Sequence, residues 1–288
     1  MRIARDLESL RREVAALRAA AGGGALALVP TMGALHAGHL ALVAAARRAA
    51  PVVAASIFVN PKQFGPNEDF ATYPRDEEGD LAKLRAAGCD LVWLPTVEAM
   101  YPPGSVTVVE VAGPPAEGFE GAHRPGHFRG VATVCAKLFL QTGAAVAMFG
   151  EKDWQQLQVV RRMVRDLDLP VRIEPVPTVR EPDGLALSSR NRFLTAEERA
   201  RAPRLAAELH RAAAALAAGR GAPAAPVLAE AVAALTAAGF AVDYFALVEA
   251  ESLRPLAAPG DAPARLVAAA RLGRVRLLDN VGVPPSGG

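Results

Sequence analysis

Up to about residue 178, short apolar runs rich in β-forming residues alternate with stretches of helical periodicity. Few architectures accept that alternation. A strand, a helix and a further strand in the same direction build a parallel sheet covered by crossover helices. Strands are expected over residues 25–29, 52–59, 90–94, 106–111, 144–149 and 171–176. Helices are expected over 38–49, 75–87, 126–140 and 153–168, and the opening MRIARDLESLRREVAALRAA reads as one amphipathic helix. The fold class is α/β, a doubly wound parallel sheet whose ligand crevice lies beyond the carboxyl ends of its strands.

After Arg190 the texture changes to two Ala-rich helical stretches, the first opened by Thr195 with Glu198 three residues on, a capping-box arrangement. A turn over 219–226 and strands over 242–248, 265–270 and 275–278 follow. We therefore expect two domains, 1–178 and a smaller C-terminal α+β domain, 179–288. Hydrophobic residues make up 51% of the chain, yet charges interrupt every Ala-rich stretch, so no membrane span is expected. A net charge of +2 gives no basic stripe, and no nucleic-acid partner is expected. Two cysteines, Cys89 and Cys135, suit buried thiols in a reducing compartment, and a cytoplasmic location is expected.

Five segments carry candidate chemistry. Pro30-Thr-Met-Gly-Ala-Leu-His-Ala-Gly-His39 runs from a buried strand straight into a helix, where free N–H groups and the positive dipole end favour a phosphate. His36 and His39 lie one turn apart there, able to donate to phosphate oxygens; a capping histidine beside a packed one is the alternative. In Ser56-Ile-Phe-Val-Asn-Pro-Lys-Gln-Phe64 an apolar strand ends in Asn60, Lys62 and Gln63, facing the expected crevice, and residues 67–75 form an ordered loop or a lid. Phe149-Gly-Glu-Lys-Asp-Trp-Gln-Gln-Leu157 repeats the strand-to-helix logic, with Lys152 as a point charge for phosphate. Arg180 to Asn191 offers Ser188, Ser189 and Arg190 to a polyphosphate, against a plain polar connector as the alternative. Glu120-Gly-Ala-His-Arg-Pro-Gly-His-Phe-Arg129 contributes Arg124 and His127, without an evident role.

Taken in order, PTMGALHxGH, SIFVNPxQF with a downstream YPR, RPGHFxGV, GEKDxQQL and DGLALSSRN resemble the pantothenate synthetase family, the AMP-forming pantoate–beta-alanine ligases. The resemblance implies a Rossmann-like sheet of the nucleotidylyl-transferase type that binds ATP and pantoate, with the C-terminal domain as a lid. It implies ATP-dependent condensation of (R)-pantoate with β-alanine through a pantoyl adenylate, with ATP as co-substrate, Mg2+ on its phosphates and a homodimeric assembly. Catalytic roles would fall to His39, His36, Lys152, Ser188 and Arg190. The ATP pocket would comprise Met32, Gly33, Ala34, Leu35, His36, Ala37, Gly38, His39, Gly150, Glu151, Lys152, Asp153, Val179, Leu187, Ser188, Ser189 and Arg190. Pantoate would meet Gln63 and Gln156, and β-alanine would enter near Gln63. Gln141-Thr-Gly-Ala-Ala145 departs from the family's usual turn, and the closing Leu277-Leu-Asp-Asn280 is similar to it.

Overall fold

Parallel pairing starts within the first residues of the chain. The computed structural model describes residues 1–66, 68–219 and 221–284, so Asn67 of the expected loop and Arg220 of the expected turn lie outside the described residues. The chain divides into two units, Met1–Glu151 with Gln156–Pro177, and Lys152–Gln155 with Thr178–Gly288. The first runs β1 (Arg2–Ala4), α1 (Leu7–Ala20), β2 (Leu26–Thr31), α2 (Ala37–Ala49), β3 (Val52–Ile57), α3 (Glu77–Ala86) and β4 (Leu91–Trp93). It continues through α4 (Val97–Met100), α5 (Phe119–His123), α6 (His127–Thr142), β5 (Val146–Gly150), α7 (Trp154–Asp166), whose first two residues fall in the second unit, and β6 (Arg172–Val176).

All six strands are parallel, in the order β1-β4-β3-β2-β5-β6. Strand order reverses between β2 and β5, and a doubly wound sheet opens its ligand crevice at such a reversal. Leu26, Ala27, Leu28 and Val29 are all fully buried, as strands covered on both faces must be. One face packs Ala27, Val29, Val53 and Met148 against Leu42, Val43 and Ala46 of α2 and Leu84 of α3. α1 and α6 pack together and against the sheet.

Two expectations fail here. Residues 106–111 alternate like an edge strand but form none; the Val109 N–H donates to Thr133 Oγ1 of α6 at 3.0 Å, and Val106 stays 88% exposed. The edge beside β4 belongs instead to β1, within what reads as a continuous opening helix. That helix begins only at Leu7, because the Asp6 carboxylate caps it by accepting the Ser9 N–H at 2.8 Å.

The second unit holds α8 (Ala196–Arg201), α9 (Arg204–Ala218), α10 (Ala225–Ala237), β7 (Ala241–Glu249), β8 (Ala264–Leu272) and β9 (Val275–Val283). Thr195 and Glu198 form the expected capping box, while the first Ala-rich stretch breaks at Ala202–Pro203 into α8 and α9. The strands form an antiparallel sheet in the order β7-β8-β9. Its apolar face, with Leu266, Ala268 and Leu277, meets Leu205, Leu209 and Leu235 of the helices. β9 runs five residues beyond the expected end at 278, which carries Asp279 and Asn280 into the sheet. Asp279 takes a bidentate guanidinium from Arg180 at 2.6 and 2.9 Å. Residues 152–155 join this unit because Asn280 Nδ2 donates to the Lys152 carbonyl at 2.8 Å, Trp154 Nε1 donates to the Ala250 carbonyl at 2.7 Å, and Arg265 lies over the Trp154 ring.

Candidate functional site

The connection from β2 to α2 leaves the ordinary backbone regions at Gly33, φ 85°, and Ala34, φ 52°. Only glycine suits position 33, where a Cβ would also sit 3.0 Å from Asp80 Oδ2. Asp80 of α3 is 1% exposed and accepts the N–H of Ala34 at 2.7 Å and of Leu35 at 2.8 Å, so a buried carboxylate holds the loop. Sequence reasoning passed over Asp80 as one more acid in a helix's first turn. Its only signal was a shared face with Leu84, four residues on.

His36 caps α2: its Nδ1 accepts the Gly38 N–H at 3.2 Å, while His39 Nδ1 accepts the His36 N–H at 3.3 Å. The capping alternative is therefore real, and it does not displace the other reading. Two main-chain donors occupy both Nδ1 atoms, which puts the proton of each neutral imidazole on Nε2. The rings lie 4.1 Å apart at the helix's positive end, so the arrangement can direct two N–H donors at an anion.

Gln63 closes the short 3-10 turn Pro61–Gln63 that follows β3 and is 8% exposed. Its amide orientation follows from its neighbour. Asn60 Oδ1 must face the donors, the Lys62 N–H at 3.2 Å and the Tyr101 hydroxyl at 2.8 Å, and its Nδ2 must face the Gly130 carbonyl at 3.1 Å. The Gln63 atom 2.9 Å from Asn60 Nδ2 is then Oε1, and Gln63 presents its NH2 on the other side, 3.2 Å from Met32 Sδ. An amide fixed this way offers donors to carboxylate and hydroxyl oxygens. Gly130 allows α6 this close, since a Cβ there would fall 2.1 Å from the Lys62 carbonyl oxygen. Burial pushes the Tyr101 hydroxyl above its ordinary pKa, keeping it a donor. Asn60 stood among the polar residues singled out at this strand end; Tyr101, from the end of α4, carried no sequence signal.

Among the other expected site residues, Leu35 is buried, Ala37 exposed, and Gly38, His39 and Gln156 half-buried. Gly150 ends β5, Glu151 to Asp153 make one 3-10 turn, and α7 follows. Lys152 Nζ lies 3.8 Å from Asp153 Oδ1. Val179 and Leu187 meet, the Leu187 N–H donating to the Val179 carbonyl at 3.0 Å across a turn that Arg180 braces by donating to the Gly184 carbonyl at 3.0 Å. Ser188 Oγ accepts the Arg190 N–H at 3.3 Å and opens the 3-10 turn Ser189–Phe193. So the structure brings together Met32 with Gln63, His36 with His39, Lys152 with Asp153, Val179 with Leu187, and Ser188 with Arg190.

This geometry has close relatives. The family model described as Pantoate-beta-alanine ligase matches residues 2–282. Pantothenate synthetase of Acidiphilium cryptum (strain JF-5) is 60% identical over 283 residues, covering 98% of this chain and 100% of that protein. The Granulibacter bethesdensis pantothenate synthetase is 56% identical, covering 98% and 97%. The crystal structure of pantothenate synthetase from Thermus thermophilus superposes with a TM-score of 0.91 at 51% identity, covering 99% and 100%. Pantoate-beta-alanine ligase from Francisella tularensis, complexed with beta-gamma ATP and beta-alanine, superposes with a TM-score of 0.80 at 32% identity, covering 98% and 97%. With a parallel sheet of this strand order and a match from end to end at more than half identity, the chain belongs to the pantoate–beta-alanine ligase family.

Proposed function

We propose that the chain condenses (R)-pantoate with β-alanine to pantothenate through a pantoyl adenylate, and that AMP and diphosphate leave. Family membership carries the overall reaction and its ligase class. One observation supports the proposed position of the nucleotide: at the N-terminus of α2 both imidazole Nδ1 atoms accept main-chain N–H groups, so each ring, when neutral, carries its proton on Nε2. In the first step a pantoate carboxylate oxygen attacks the α-phosphorus of ATP, and the bond to the bridging oxygen of diphosphate breaks. His39 and His36 donate to the oxygens on which charge grows, which makes them worth more in the transition state than in the ground state. In the second step the β-alanine amine attacks the acyl carbon, loses a proton and expels AMP.

Roles for the remaining groups are those that the family resemblance implies. Residues 32–39, 150–153, Val179 and 187–190 bind ATP, with Lys152, Ser188 and Arg190 contacting its phosphates. Gln63 and Gln156 hold pantoate, and β-alanine enters near Gln63. Residues 1–178 act as the ATP- and pantoate-binding domain, and 179–288 as a lid. Magnesium bound with ATP would neutralise charge on the phosphates, to which Lys152, Ser188 and Arg190 would contribute further donors. Among the described residues no group of three His, Cys, Asp or Glu side chains is arranged to hold a metal by itself. A homodimer in the cytoplasm is proposed from the resemblance, and the free, buried thiols of Cys89 and Cys135 suit a reducing compartment. Among the described residues no helix is long and apolar enough to cross a membrane.

Diphosphate release tests the order of steps. ATP and pantoate alone should release about one diphosphate per active site, and β-alanine should turn that burst into steady turnover; no release before β-alanine arrives would sink the adenylate route. In the same assay His39→Ala should slow the burst roughly 100- to 1000-fold while the thermal melt and ATP affinity hold. A near-wild-type burst would remove His39 from the mechanism.

A further inference from the structure

The segment Arg124-Pro-Gly-His127 takes no part in the reaction above, yet it carries a polar cluster around the buried His127. His127 opens α6 and is 8% exposed. One imidazole nitrogen, Nδ1, lies 2.9 Å from the main-chain carbonyl oxygen of Gln63; the other, Nε2, lies 3.1 Å from Arg124 Nη1. A carbonyl can only accept and a guanidinium can only donate, so the ring is a neutral Nδ1–H tautomer that donates to Gln63 and accepts from Arg124. Burial, and then the adjacent Arg124 cation, push its pKa down to about 4, against the pull of Glu120 and Glu68, and it stays neutral at ordinary pH.

Arg124 does more than set the tautomer. Its Nη2 also donates to the Gln63 carbonyl at 3.4 Å, and its Nε and Nη2 make a fork onto Glu68 at 2.7 and 2.6 Å. Burial opposes ionisation of Glu68, but the guanidinium outweighs it and holds that carboxyl below its usual range. Gln63 is thus gripped at both ends. Asn60 fixes which way the amide faces, and the His127–Arg124 pair fixes where the residue sits.

We propose that Arg124 and His127 are positioning residues for the organic acid: by clamping the Gln63 main-chain carbonyl they place its NH2 group on pantoate, without touching the substrate. The proposal rests on Gln63 as a pantoate contact. A histidine that merely steadied α6 would have no reason to distinguish one substrate from another, whereas a clamp acting through Gln63 does.

The test is steady-state kinetics for each substrate, with thermal melts, on His127→Phe, His127→Asn, Gln63→Ala and the Gln63→Ala/His127→Phe double variant. Asparagine places its Nδ2 near the imidazole Nδ1 position and restores the donor; phenylalanine fills the space without it. Losing a donor to a buried carbonyl predicts about a 10-fold rise in the pantoate KM for His127→Phe, with the ATP KM within about 2-fold and His127→Asn recovering most of the loss. In the Gln63→Ala background His127→Phe should cost nothing further for pantoate. Equal damage to the ATP and pantoate KM, no recovery by asparagine, or a full additional loss in the double variant would each overturn the clamp while leaving the role of Gln63 intact. An unchanged pantoate KM in Gln63→Ala would instead overturn the reading of Gln63 itself, and the clamp with it.

Discussion

The two units support their candidate site segments in different ways. In the first, the loop before α2 rests on Asp80 and the Gln63 amide on Asn60, each of them 1% exposed and fully engaged with partners of fixed polarity. In the second, residues 187–190 are half-buried, and the turn beside them is tied to α8 through Arg199 and Asp183, whose side chains are 34% and 42% exposed. A deeper tie joins Arg180 to Asp279. Buried, satisfied polar groups admit a single arrangement, whereas exposed pairs exchange readily with water. The first unit is built to present donors at set positions. The closure over a nucleotide proposed for residues 187–190 fits the looser support of the second.

Removing the deepest support should have the largest effect. Asp80→Ala takes away two hydrogen bonds between a carboxylate and main-chain N–H groups and strands those donors, at a cost of about 3 kcal/mol or more. Denaturant unfolding should show that loss, and calorimetric titration should show ATP binding weakened with it, since the strained loop at Gly33 and Ala34 loses its anchor. A change below about 1 kcal/mol would erase the contrast between the units.

Asp80 also marks where sequence reasoning stops. Most strands of the first unit were legible, because runs buried on both faces leave few polar letters between turn signals. The histidine and glutamine segments stood out as candidates for a related reason: polar residues at the abrupt end of an apolar strand draw attention against the apolar run before them. A buried acid inside Glu77-Glu-Gly-Asp80 has no such contrast around it. Residues 106–111 fail in the opposite sense, since their alternation matches an edge strand while the hydrogen bond that diverts Val109 comes from Thr133, on a helix beyond α5. β1 is three residues long, too short for any period to register. Nor could spacing tell that His36 would serve as the cap of α2 through its Nδ1.

A medium effect belongs to pH. In the folded chain the His127 pKa lies near 4 rather than the ordinary 6.5, chiefly through burial. The unfolded chain therefore binds the proton more readily between those values, and stability is whole above about pH 6.5 and falls as pH drops toward 4, by about 3 kcal/mol at most. Below that both states are protonated and the contribution stays lost. Unfolding measured from pH 7 to 4.5 should show a steeper decline for the natural chain than for His127→Asn, which has no proton to gain. Parallel declines would mean that the clamp cluster does not hold its imidazole neutral, and the first unit would be softer than its geometry implies.

The smallest effect is expected at the exposed tie of the second unit. Arg199 Nη1 donates to Asp183 Oδ2 at 2.5 Å, and its Nη2 lies 3.9 Å from Glu181. The guanidinium hydrogen bond holds the Asp183 carboxyl below its usual range, but a group so open to solvent gains little from its partner, because water and salt screen the pair. Arg199→Ala should then shift the midpoint of denaturant unfolding by less than the equivalent of about 1 kcal/mol, and less still in high salt. Its consequence should show in motion rather than stability. With the turn at Asp183 released, limited proteolysis between residues 181 and 191 should quicken in the ligand-free protein, and saturating ATP with magnesium should slow it again by closing the segment. A large loss of stability with unchanged proteolysis would mean that the second unit is as rigidly built as the first, and the difference between them would have to be sought in the ligand.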